Sequence, residues 1–315
     1  MKIKTLVISF ILVLSVILSC SCNESDSSSQ SLENSSSKLD DSTVSTDSSS
    51  KADETKSEEI SSDNSGKFAD EGELKLRIFK MGKSDAYLFR TSSKTILIDC
   101  GDVDDAQEIL DYFTEKSIDR IDYLILTHFD KKSIGGAATL VSSLKVGTVY
   151  EPDYTKKNTE YIDFSSALAN KNISSNKVNS DISFEVDGVS FKISPCEKSY
   201  YSDDNNYSLM ISVVHGENSF LFVGDAKADR ISEIISVGEV KHDFLMIPDN
   251  GTLDPKTEAL IDAVSPTSVA ITCSEKNPAS AEVLQMLSSK GINTYLTTNG
   301  SIRISSDGSE IIYEQ

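Results

Sequence analysis

The residue types with most chemical reach gather in one stretch, Leu124-Ile-Leu-Thr-His-Phe-Asp-Lys-Lys-Ser-Ile-Gly-Gly136. A largely apolar run from Ile121 to Leu126 reads as a buried strand, and it empties into a polar turn opened by His128 and Asp130. An imidazole and a carboxylate at the mouth of a strand are the donors a metal ion takes, nitrogen from one and oxygen from the other. Gly135-Gly136 then lets the backbone turn tightly into an apolar helix, Ala137 to Leu144, which fixes the loop on a rigid scaffold.

The stretch resembles the His-x-His-x-Asp-His loop of the metallo-β-lactamase-fold hydrolases. It is especially similar to the branch represented by the C-terminal domain of ComEC-type competence proteins, where a His-Phe-Asp-Lys-Asp-His version followed by Ile-Gly-Gly also occurs. Position by position, His128 stands on the first His and Asp130 on the second ligand position, while Lys132 replaces the Asp and Ser133 the last His. The resemblance runs along residues 74 to 315. Gly82-Lys-Ser-Asp85-Ala86 resembles the early Gly-x-x-Asp-Ala turn, and Ile96-Leu-Ile-Asp99-Cys-Gly101 the strand-Asp-x-Gly element. Phe220-Leu-Phe-Val-Gly-Asp225-Ala226 resembles the strand that ends in a bridging Asp. Leu245-Met-Ile-Pro-Asp-Asn-Gly251 falls where the family has Pro-His-His-Gly, so Asp249 and Asn250 occupy the paired-His positions.

At matched ligand positions the resemblance therefore leaves His128, Asp130, Asp225 and Asp249, one nitrogen and three carboxylates. That set suits a hard cation such as Mn, Mg or Ca better than zinc, whose hydrolytic sites take about three protein ligands with imidazole prominent among them. The chain has 3 His in all. His215 falls on a predicted hairpin turn and His242 just before a strand, and both are expected at the surface. Asp85 and Asp99 are expected to form turns near the site. Lys132 stands where a second-metal Asp would be, and its ammonium is expected to neutralise the site by pairing with Asp225, Asp130 or Asp249. A unit charge pair at ~4 Å and an effective dielectric of ~20 is worth about 4 kcal/mol before desolvation.

The elements that must carry these residues alternate. Strands are expected over Leu74 to Phe79, Ala86 to Phe89 and Thr95 to Ile98, the start of an antiparallel sheet. A helix follows with Ala106, Ile109, Leu110 and Phe113 on one face and Asp104 and Asp105 at its start. After the key loop come a strand Val146 to Tyr150 and a polar outer helix within Tyr154 to Ile173. Two hairpins follow, Ile182 to Ile193 and Leu209 to Val223, the second delivering Asp225 ahead of a helix from Lys227 to about Ser236. Asp254-Pro255 and Asn277-Pro278 each read as an N-cap with Pro at the first helical position. Pattern alone supports a mixed α+β chain; the resemblance implies a four-layer αββα sandwich.

Ahead of this domain, Lys2 and Lys4 precede an apolar run from Leu6 to Leu18 that is too short to span a bilayer comfortably. It ends in Ile17-Leu-Ser-Cys20, similar to a bacterial lipobox, so residues 1–19 are expected to be a signal peptide and Cys20 to take lipid, with Cys22 the alternative. Residues 20–72 are Ser-rich with scattered acids and few apolar side chains, composition that cannot bury enough surface to offset ordering entropy. As a flexible tether of ~50 residues the segment would reach on the order of 40 Å. Residues 73–315 suit one domain.

Net charge is -20, of which residues 1–72 carry -7 and the domain -13. An acidic body without a strong basic run makes nucleic acid a poor partner. Cys100, Cys196 and Cys273 are widely spaced beside apolar runs and read as buried free thiols. The expectation is a surface-anchored, outward-facing lipoprotein whose domain binds a small molecule or protein without catalysis and needs no cofactor. Its rival is a hydrolase of phosphate esters or acyl bonds, with one divalent cation (Mn, Mg, Fe or Zn) and Asp130 as base.

Overall fold

The computed structural model describes residues 69–238 and 240–315. The expected signal peptide, Cys20, Cys22 and all of the tether before residue 69 lie outside the described residues. Among the described residues no helix is long and apolar enough to cross a membrane.

The first half is built from β1 (Leu74–Ile78), β2 (Tyr87–Arg90), β3 (Thr95–Ile98), α1 (Ala106–Glu115), β4 (Arg120–Ile125), α2 (Lys131–Ile134), α3 (Ala137–Ser143), β5 (Lys145–Pro152), α4 (Thr159–Lys171) and β6 (Ser175–Val178). β1, β2 and β3 pair antiparallel, and β3, β4, β5 and β6 run parallel. The second half begins with an antiparallel meander, β7 (Ile182–Val186), β8 (Val189–Ser194), β9 (Met210–His215) and β10 (Asn218–Phe222). It continues parallel through α5 (Ala228–Ser236), β11 (Phe244–Met246), α6 (Thr257–Val264), β12 (Ser268–Ile271), α7 (Ala281–Ser289) and β13 (Asn293–Leu296). Finally β14 (Ile302–Ser306) and β15 (Ile311–Glu314) return to the first sheet, β14 lying antiparallel to β1. The eight-stranded sheet has the order β15-β14-β1-β2-β3-β4-β5-β6 and the seven-stranded sheet β13-β12-β11-β10-β9-β8-β7.

Alternation along the strands creates the layers. In β1, Leu74, Leu76 and Ile78 face the second sheet, where Phe191, Phe220 and Phe222 meet Phe89 and Ile98 in the central core. Each buried Phe contributes roughly 2–3 kcal/mol. The outer face of the first sheet buries Phe79, Leu97 and Leu124 under α1, α3 and α4. Leu221, Leu245 and Val269 do the same under α5, α6 and α7. The result is the αββα sandwich.

Local sequence explains the entries and exits. Asp102 and Asp105 form a reciprocal capping box before α1, and left-handed Ser117 ends it, with Ile118 N donating to Phe113 O at 2.7 Å. Neither Pro opens its helix as expected. Asp254 instead makes an Asx turn, its Oδ1 accepting from Lys256 N at 2.8 Å, so α6 begins at Thr257; α7 begins at Ala281 after Ser280. Cys100 and Cys273 are buried free thiols, but Cys196 is only half-buried because it lies in a loop past the end of β8.

Candidate metal centre

The carboxyl ends of parallel strands converge here from both sheets, the usual place for ligands in such sheets. β3 ends in Asp99, β4 runs into Thr127 to Asp130, β10 delivers Asp225 and β11 delivers Asp249. Backbone hydrogen bonds clasp the α2 turn from two sides. Asp85 N donates to Lys132 O at 3.0 Å and Cys100 N to Ser133 O at 2.7 Å, while Gly101 N reaches Asp85 O at 2.9 Å. Gly135 and Gly136 have ordinary helical backbone, so the expected tight turn is not their role. They permit close approach: a Cβ on Gly136 would lie 2.2 Å from Cys100 O, and one on Gly135 2.6 Å from Val103 N.

His128 is 1% exposed. Thr127 Oγ1 donates its one proton to Asp99 Oδ2 at 2.6 Å and lies 2.9 Å from His128 Nδ1, so its oxygen is left to accept from Nδ1–H. Thr127 N also donates to Asp99 Oδ1 at 2.8 Å. This relay holds the ring with its Nε2 toward Asp225 Oδ2, 3.5 Å away. Nε2 is buried and completes no hydrogen bond; the Asp225 carboxylate faces it only at ion-pair distance. Asp99 is thus more than a turn former. It takes left-handed backbone at φ 57° and anchors the imidazole.

His128, Asp130 and Asp225 each place one ligand atom within 4.8 Å of the others. Asp130 precedes α2, but its carboxylate does not cap that helix; Oδ1 lies 3.2 Å from Lys156 Nζ. Asp249 is not part of the mutually close group. Its carboxylate is bonded to Lys227 Nζ, and its backbone N donates to Asp225 Oδ1 at 3.1 Å. Asn250 turns away to donate to Thr272 Oγ1 at 2.9 Å and Lys83 O at 3.0 Å. Asp249, Asn250 and Gly251 in succession take positive φ, which aims these side chains apart.

The expected role of Lys132 is corrected. Among the described residues it forms no ion pair with Asp130, Asp225 or Asp249; Lys156 and Lys227 supply the ammonium groups instead. Lys132 lies on the short α2, whose backbone is pinned by the Asp85 turn, whereas Lys227 sits just past Asp225. Lys227 is two residues from a matched carboxylate and was readable in the sequence. Lys156 belongs to a loop before α4 and carries no local signal. The other histidines are not surface residues: His215 is buried with Nδ1 2.8 Å from Ser306 Oγ, and half-buried His242 has Nε2 2.7 Å from Ser212 Oγ. His215 is tied across the sandwich to β14 of the other sheet, and His242, just ahead of β11, to β9 beyond β10; both contacts join residues far apart in sequence.

Burial governs the electrostatics. It pushes the Asp85 carboxyl up to about 8, with the Asp225 charge adding to it and the Tyr87 and Thr272 hydroxyls opposing. Asp99 is raised to about 7 by burial, partly offset by His128 and Thr127. Burial pulls His128 down, but the carboxylates of Asp225, Asp99 and Asp85 outweigh it and raise the imidazole to about 9. Asp225 is pushed up by burial and drawn lower still by His128 and Lys227. Proton and cation would compete for the same imidazole.

One orphaned imidazole nitrogen facing two carboxylates fits a single divalent cation, held by His128, Asp130 and Asp225. The positions matched to a second cation do not fit one. Ser133 is buried with Oγ unpartnered, Asn250 is committed elsewhere and Asp249 is neutralised by Lys227.

The family profile of the Metallo-beta-lactamase superfamily matches residues 80–267. The chain is 24% identical over 200 residues to ComE operon protein 3 of Bacillus subtilis, covering 62% of this chain and 26% of that protein. It is 27% identical over 171 residues to Recombination protein 2 of Haemophilus influenzae, covering 54% of this chain and 20% of that protein. The matched regions thus span about a quarter of one relative and a fifth of the other. Among solved structures, the metallo-beta-lactamase fold protein YhfI of Bacillus subtilis superposes with a TM-score of 0.51 at 11% identity, covering 77% of this chain and 100% of that one. The CmlA beta-hydroxylase E377D mutant gives 0.51 at 15% identity over 74% of this chain and 53% of that one. These likenesses concern the fold.

Proposed function

The chain belongs to the metallo-beta-lactamase superfamily, and from that premise we propose that its domain is a non-catalytic binding or accessory module. It is held on the outer face of a bacterial membrane by lipid on Cys20, or on Cys22. One observation carries the proposal: the Lys227 ammonium sits on Asp249, at a position matched to a metal ligand of the family. An ammonium there repels a dication and uses the carboxylate that would hold it. With the second position closed, the two-metal clamp that stabilises both attacking and leaving oxygens is missing. What remains around the centre is Tyr154, stacked on Tyr207 with ring centroids 4.2 Å apart, and the Lys156 and Lys227 cations paired with Asp130 and Asp249.

The orphaned His128 Nε2 favours a second reading, a hydrolase of phosphate esters or acyl bonds with one cation. A bound cation would supply Lewis acidity and polarise the group to be cleaved. Thr127 and Asp99 would orient the imidazole, and Asp130, partly exposed, would take a proton. The two are separated by assaying the full chain with added Mn²⁺ or Zn²⁺ against phosphodiester, phosphomonoester and acyl-ester substrates. The binding role predicts no turnover above buffer. Turnover that disappears with chelator and with His128→Ala establishes the hydrolase.

A further inference from the structure

On the outer face of the first sheet, basic side chains from β1, β2 and β14 gather beside Tyr112 of α1, with Glu73 and Glu314 at the same cavity. Three of the five arginines in the sequence, Arg77, Arg90 and Arg303, line one cavity of ≈ 180 Å³ there, together with Lys75 and Tyr112. The register puts Arg77 directly opposite Arg303, and Lys75 opposite Arg90. Like charges facing across strands are unfavourable without an anion between them.

Lys75 and Arg303 are answered by nearby carboxylates. Lys75 Nζ lies 2.9 Å from Glu73 and Arg303 Nε 3.0 Å from Glu314. Arg77 is not. Its guanidinium lies over Tyr112, 4.4 Å from the ring centroid, and 5.1 Å from that of Phe79, which fixes its plane. Its Nε is buried without a hydrogen-bond partner, and among the described residues no carboxylate reaches it within ion-pair distance. Glu108 and Glu115 of α1 act on it only from further off. A stacked guanidinium with free donors is preorganised for two-point contact with a carboxylate or phosphate.

We propose that this cavity is a binding site for a small oxyanion, a phosphate or carboxylate group, separate from the His128 centre. The Arg77 fork grips the anion over the Tyr112 platform, and Arg303 closes on it from β14. The site is independent of whether the domain is catalytic.

The test is calorimetric titration of the chelator-treated full chain with inorganic phosphate and with malonate at low ionic strength. Saturable binding of either anion is expected, weakened at least tenfold in Arg77→Gln and in Arg303→Gln. The exposed Arg303 keeps the test valid should Arg77→Gln fold poorly. Lys192→Gln on β8, which removes the same charge elsewhere, should bind as the unaltered chain does. Binding of phosphate alone assigns a phosphorylated ligand, and of malonate alone a carboxylate. Absence of binding of both up to ~10 mM, equal loss in Lys192→Gln, or unchanged affinity in both arginine variants would overturn the proposal.

Discussion

At the scale of single residues, the centre is a set of buried acids around one imidazole, and its pH behaviour follows from the direction of each shift. His128 binds its proton more tightly folded than unfolded, so its contribution is fully present below about 6.5 and lost as pH rises through about 9. Asp85 and Asp99, raised to about 8 and about 7, also hold extra protons when folded, and their contribution falls as pH rises from about 4. Asp225 runs the other way, its contribution being present above 3.8 and lost on acidification. Chelator-treated protein should therefore melt at lower temperature at pH 9 than at pH 6, with the difference smaller in His128→Gln. A melting temperature that is flat or rises over that window contradicts the assignment. A divalent cation needs the ligands deprotonated, so its stabilisation should grow from pH 6 to pH 8. Lys227→Ala, which frees Asp249, should raise cation affinity roughly tenfold, read by calorimetric titration of the chelator-treated chain with Mn²⁺; unchanged affinity would contradict it.

At the scale of elements, the α2 turn is pressed so closely on the Asp99 to Val103 segment that a methyl group has no room. Because the nearest atom to a Gly136 Cβ is backbone, Cys100 O at 2.2 Å, Gly136→Ala should lose about 1–3 kcal/mol in denaturant unfolding. Loss under about 0.5 kcal/mol would mean the clasp is slack. The tip of the β7–β8 hairpin is tied to the other sheet by Asp187, whose carboxylate accepts from Thr91 Oγ1 at 2.7 Å and Ser93 N at 2.8 Å. These bonds hold Asp187 below the usual carboxylate range although burial opposes them, so this clasp loosens as pH falls through that range. Asp187→Ala should cost about 1 kcal/mol at pH 7 and less at pH 3.

Strand and helix placement was largely legible because alternating or i, i+3, i+7 apolar residues mark both; β1 and α1 are examples. The short α2, the polar edge strand β6 and the starts of α6 and α7 were not, since each depends on tertiary bonds rather than on local pattern. The convergence of His128, Asp130 and Asp225 followed from matched motifs. The partners of those acids did not, because Lys156 reaches Asp130 from a loop 26 residues away and the Asp99–Thr127 relay joins two strands.

At the scale of the whole molecule, an acidic chain of net charge -20 offers nucleic acid little apart from the Arg77 cavity. Fluorescence anisotropy at physiological salt should register no binding of single- or double-stranded DNA, and micromolar affinity would contradict that expectation. The sandwich itself brings four strand ends from two sheets to one rim, which in this chain carries one imidazole where a two-cation site needs several. The most direct measurement is the number of Mn²⁺ or Zn²⁺ ions retained per full chain after equilibrium dialysis, with and without His128→Ala. One ion at most, abolished by that substitution, is predicted; two ions per chain, or one that survives loss of the imidazole, would contradict it.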